Sequence, residues 1–132
     1  MAKVKVTLGN RPKNFPHVVT GRLVTGEEAY LPVLFKYRTR TEFGQFLDGL
    51  LTAAAVKLQG DSEADVQHSV EAAMQKLRDQ NADYLLQVID GWELDAELNL
   101  ATLRQLCDEM PGIAIAAMTD YRLAITEGRL GN

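Results

Sequence analysis

Val4, Val6 and Leu8 alternate with polar residues, and this period of two predicts a half-buried strand that Gly9-Asn10 ends. Asn10 to Pro16 contains two prolines among polar residues and reads as a loop. A second strand is expected over His17 to Val24, a turn at Thr25-Gly26, and a third strand over Ala29 to Tyr37. Pro32 removes one ladder donor from that third strand, which predicts an edge position or a bulge there. An open edge beside Phe35 and Tyr37 then calls for a helix over it or for a strand from another chain.

From Thr41 the period changes to that of a helix. Phe43, Phe46, Leu47, Leu50, Leu51, Ala54 and Leu58 form one apolar stripe, Gly60 is placed to stop the helix, and the small sheet is expected to pack against this stripe. Ser62 is suited to cap a next helix with the stripe Val66, Val70, Ala73 and Leu77, continued by Tyr84, Leu85, Val88 and Ile89. The polar run Lys76 to Asp83 predicts a break near Gln80-Asn81. Asn99 is an N-cap candidate for a short helix carrying Leu100, Leu103, Leu106, Cys107 and Met110 on one face. Pro111 cannot continue that helix but suits the first turn of another, whose stripe is Ile113 or Ala114, Ala117 or Met118, Tyr121 and Ile125. The expected architecture is α+β: a small N-terminal three-stranded antiparallel sheet followed by four to five helices. One domain is expected over residues 1–132, β-rich in 1–38 and helical in 39–132.

A chain of 132 residues, 46% hydrophobic and 24% charged, has globular composition and is long enough to bury a core of its own. Its net charge of −4 is unevenly spread. Eight basic side chains face two acidic ones in residues 1–40, and the remainder is strongly acidic, a polarity that favours attraction to a partner or to another copy, or else solvated faces. The single cysteine, Cys107, leaves no intramolecular disulfide, and the opening Met-Ala-Lys-Val-Lys-Val has no apolar signal region. A reducing cytoplasm is therefore expected. The longest uncharged runs, such as Met110 to Thr119, fall short of the ~20 apolar residues of a membrane span.

Chemistry is sparse. One cysteine and the histidines His17 and His68, in different elements, do not make a zinc site, and Asp90-Gly91 with Glu93 and Asp95 reads as a turn before it reads as a calcium loop. Cys107 is followed by Asp108 and Glu109, which oppose a thiolate, so a buried helix face is its expected place. No phosphate-binding glycine loop or nucleophile elbow occurs, and the carboxylate pairs Asp61/Glu63 and Glu93/Asp95 lie in polar stretches where nothing would separate their pKa values. Neither metal nor cofactor is expected, nor enzymatic activity. Lys36, Arg38 and Arg40 with Tyr37 and Phe35 would suit a nucleic acid, but the same alternation describes an amphipathic edge strand, and the pI of about 5.1 is acidic. A small transcriptional regulator or nucleic-acid-binding accessory protein is thus the alternative reading. Trp92 and the stripe Met118, Tyr121 and Ile125 are the candidate protein-binding residues, with core packing as the other reading of each.

The last third of the chain carries a further pattern. Val88, Ile89, Gly91 and Trp92 form a hydrophobic-Gly-Trp turn, Leu103 and Leu106 precede Pro111, and Ile115, Ala116, Tyr121 and Ala124 lie in an alanine-rich final helix. This resembles the C-terminal signature of tail assembly chaperones of long-tailed bacteriophages, with Cys107 where a second leucine is expected. The resemblance implies a phage or prophage protein that acts in the host bacterial cytoplasm and is absent from the mature virion. It would keep the tape measure protein soluble while tail tube protein is recruited, as a self-assembled homo-oligomer and without nucleotide hydrolysis. In some members of that family a ribosomal frameshift yields an extended form.

Overall fold

The structure, a computed structural model, describes residues 3–60 and 70–128, with backbone alone for 53–60. Its elements are β1 (Asn14–Arg22), β2 (Glu28–Lys36), α1 (Arg40–Gly60), α2 (Val70–Val88), β3 (Ile89–Trp92), α3 (Leu100–Glu109) and α4 (Pro111–Glu127). The α+β arrangement and the three-stranded antiparallel sheet agree with the pattern of the sequence. The strands that build it are not the three expected.

β1 and β2 form a hairpin with Phe15 opposite Phe35, His17 opposite Val33 and Val19 opposite Leu31. These residues share the inner face, where Val19, Leu31, Val33 and Phe35 are buried. Gly26, at φ 90°, closes the turn in the left-handed region that a side chain disfavours. The expected strand over Val4 to Leu8 does not form. Those three apolar residues are 88%, 85% and 93% exposed, because alternation alone supplies no partner edge. The third strand is β3, which pairs antiparallel with β2 and gives the order β1-β2-β3.

β2 is therefore central, although it contains Pro32. The carbonyl of Pro32 accepts from Glu93 N at 3.0 Å, just beyond the last β3 residue, so the missing N–H falls where the β2–β3 ladder is already ending. The irregularity in register lies two residues further on, between Leu34 and Phe35. The edge expected beside Phe35 is thus covered by this chain's own β3.

Local caps set the helices. Glu42 N donates to Thr39 Oγ1 at 3.1 Å and Thr39 N donates to Glu42 Oε1 at 2.9 Å, a reciprocal cap at the start of α1. Asn99 and Thr102 make the same exchange at α3, as the expected N-cap requires. Pro111 opens α4, and Gly128, at φ 72°, ends it. α2 runs without a break through Gln80 and Asn81, because Ala82, Tyr84, Leu85 and Val88 beyond them are anchored in the core. Ser62 and Val66 lie outside the described residues.

The sheet is covered by α4 over β1 and β2 and by α2 over β2 and β3, with α3 packed on both helices, and not by α1 as expected. A Cβ on Gly21 would sit 2.9 Å from Ile113 Cδ1, and one on Gly112 would sit 3.4 Å from the Arg22 carbonyl, so bare glycines let the first turn of α4 approach β1. α1 docks through Phe43, Phe46, Leu47 and Leu50, while Leu51 is exposed.

Tyr121 joins these layers. Its ring, wholly buried, lies 5.2 Å from Phe35, 5.8 Å from Phe43 and 6.5 Å from both Phe15 and Tyr84. Its hydroxyl donates to the Lys36 carbonyl at 2.9 Å and accepts from Arg38 Nη1 at 3.0 Å. Arg38 in turn donates to the Gln87 carbonyl at 2.9 Å and lies over the Phe46 ring at 4.4 Å. Tyr121→Phe keeps the ring but strands both polar partners, and is expected to lower unfolding free energy by about 1–3 kcal/mol. Tyr121→Ala, which also opens a cavity, should cost about 3–5 kcal/mol, both read from urea denaturation.

Candidate functional site

The inner sheet face runs out at Trp92, where β3 ends opposite Val33. Residues 93–99 then lead into α3, and the indole Nε1 donates to the Ala96 carbonyl at 2.9 Å, which pins the ring against this connection. Between β2, Trp92, the connection and the α3–α4 corner lies an open apolar groove of about 290 Å3. Leu31, Trp92, Leu106 and Ile113 form its base and sides, with the more exposed Leu94 and Met110 at its mouth. Thr102, Gln105 and Glu109 give it a polar rim. Apolar floor with polar rim is the usual composition of a surface that takes up another chain's side chains.

The four candidate residues of the sequence do not converge there. Trp92 is half-buried and lines the groove. Met118 is half-buried against the core, Tyr121 is wholly buried and Ile125 nearly so. Ile125 also borders a separate cleft of about 490 Å3, together with Pro12, Phe15, Tyr37 and Arg38. The stripe read from periodicity is therefore largely the inward side of α4, turned onto the aromatic cluster. Tyr30, Leu94 and Met110, which complete the groove around Trp92, were not singled out from the sequence as binding residues. Leu94 lies in a polar connection, Tyr30 alternates outward on β2, and only folding brings them to one place. The turn Gly91-Trp92 was the one legible signal.

The basic and aromatic run after Phe35 serves the fold. Phe35 is fully buried, Arg38 holds Tyr121 and Gln87, and Arg11 lies 5.6 Å over the Tyr37 ring while paired to Glu42. The aromatic platform that a nucleic acid would stack on is thus covered or internal. Glu42 is held below the usual carboxylate range by the Thr39 amide and by Arg11.

Among the described residues no three His, Cys, Asp or Glu side chains are grouped so as to hold a metal ion, and no helix is long and apolar enough to cross a membrane. Asp61 and Glu63 lie outside those residues. His17 Nε2 and Asp120 Oδ2, 2.7 Å apart, tie β1 to α4. Cys107 is buried on the inner face of α3, and burial pushes its thiol up to about 11. It has no thiolate to offer as a nucleophile near neutral pH.

Fold and groove together define a small α+β protein that carries an open apolar recess with a polar rim. A protein-family model described as phage tail assembly chaperone matches residues 1–132, and the chain belongs to that family. No curated protein and no solved structure matches it.

Burial raises Tyr84 to about 12 as well as Cys107 to about 11, from ordinary values of 10.0 and 9.0. Between those limits the unfolded chain has released protons that the folded chain retains, so stability is unaffected below the ordinary values and falls as pH rises through them. Urea midpoints measured across this alkaline range should decline accordingly. At about pH 8 a disulfide reagent should label Cys107 slowly in the native protein and rapidly in urea.

Proposed function

We propose that this chain is a non-enzymatic tail assembly chaperone of a phage or prophage that binds the tape measure protein in the host cytoplasm and recruits tail tube subunits. It leaves before the virion is complete. The family match over the whole chain carries this reading, and the groove at Trp92 supports it. A tape measure protein is long and helical, and its amphipathic helices present apolar side chains in a row once per turn. Such a row fits an apolar groove with a polar rim and is shielded from aggregation while it lies there. Binding of this kind needs no nucleotide or cofactor and is reversible.

Trp92, Leu94 and Met110 are the direct contacts in this reading. Of the other residues marked for protein binding, Met118 is reached by solvent in part, and Tyr121 and Ile125 contribute through the α4 helix that they anchor. The indole is the natural centre, since a large ring held by one hydrogen bond loses little freedom when a client covers it.

Co-expression with a tape measure protein from the same phage or prophage, followed by pull-down and sizing, tests the assignment. A soluble complex is expected where the client alone precipitates. Leu94→Asp and Met110→Asp place charge at the mouth of the groove and should each weaken the complex by about tenfold or more. Because both positions are exposed, unfolding free energies from urea denaturation should stay within about 0.5 kcal/mol of the wild-type protein. Loss of binding only in variants that unfold would sink the groove as the contact surface. No association with the client, together with salt-dependent DNA or RNA binding, would replace the chaperone reading with the regulator.

A further inference from the structure

We infer that the segment Lys3–Leu8 of one copy adds as a fourth strand to the outer edge of β1 in a second copy. β1 stands at the end of the sheet, and among the described residues no strand lies on its far side. Its edge therefore presents unpaired N–H and C=O groups, a template for another strand. Pro16 blocks pairing at one end, which leaves His17–Arg22, a run of six residues that includes Val18-Val19-Thr20.

Lys3–Leu8 is a matching length of chain with matching chemistry. Val4, Val6 and Leu8 occupy alternate positions, the residues between them are Lys5 and Thr7, and the three apolar side chains are 88%, 85% and 93% exposed. A strand pattern with its apolar side in water is an unsatisfied element, and a free edge gives it both a ladder and a neighbouring apolar surface.

Its own β1 edge is not the natural acceptor. The Lys13 carbonyl accepts from Tyr37 N at 3.1 Å, and Arg11 is paired with Glu42 and lies over Tyr37. These contacts hold the chain before β1 beside the end of β2 and the start of α1. With Arg11 held there, Gly9 and Asn10 alone would have to carry Lys3–Leu8 around the start of β1 to its far side. The edge of a second copy has no such constraint, and reciprocal exchange of the two segments closes a two-fold dimer. The contact is separate from the groove at Trp92 and stands whether or not that groove holds a client.

The full chain and the double variant Val4→Asp/Val6→Asp decide the matter, with Val24→Asp as control. Val24 is 98% exposed in the β1–β2 turn, so the control adds charge to an equally open position away from the proposed contact. Wild type and control should sediment at twice the 14.6 kDa chain mass or more at about 200 μM, and the double variant as a monomer whose urea midpoint matches that of the wild type at about 5 μM, where both are dissociated. Amides of Val4 to Leu8 should exchange at least about tenfold more slowly at that concentration than at about 5 μM in the wild type and the control, and at one rate throughout in the double variant. A monomeric wild type, or an oligomer that survives the double substitution, overturns the inference.

Discussion

A single phenol couples the helical and sheet parts of this protein. Tyr121 projects from α4 into a place where β1, β2, α1 and α2 all bring aromatic rings, and its hydroxyl reaches the end of β2. A buried hydroxyl needs both a donor and an acceptor nearby, and it finds them in Arg38 and the Lys36 carbonyl. Arg38 extends the constraint to the end of α2 through Gln87 and to α1 through Phe46. Helix packing by apolar contact alone tolerates sliding, whereas these directional bonds fix where α4 crosses the sheet. Burial holds the Tyr121 proton more tightly than in water, with Arg38 acting in the opposite sense.

Once α4 is fixed, the rest follows from its two ends. Its first turn sits against β1 where Gly21 and Gly112 remove the side chains that would intervene. The α3–α4 corner therefore stands off from Trp92 and the start of β2, and the groove is the space left between them. The aromatic cluster near the opposite end of the sheet takes the residues that would otherwise offer a second apolar face. Stability and accessible apolar surface are thus separated within a small molecule, which suits a protein whose work is to hold other proteins.

Much of the helical part was legible in the chain. Asn99, Pro111 and the stripes of α3 and α4 mark their elements because capping and periodicity are local. Cys107 was placed correctly on a buried face by its neighbours and its type. The cap formed by Thr39 and Glu42 stands in the chain as a Thr-x-x-Glu pattern just ahead of the Phe43 stripe. The β1–β2 hairpin was close to expectation. The identity of the third strand was not, since Ile89–Trp92 is only four residues long and owes its extended shape to the edge of β2, more than fifty residues earlier.

The sequence by itself determined that a helix carries the Phe43 stripe, where α3 and α4 begin, and that Trp92 stands at a structural corner. Each depends on interactions between residues a few positions apart. Only the tertiary structure decided that Val4 to Leu8 finds no partner strand among the described residues, that Pro32 sits in a central strand, and that Tyr121 and Ile125 face inward while Leu94 and Met110 line an opening. A strand needs a partner edge and a binding groove needs several elements at once, so neither is a property of any local stretch of chain.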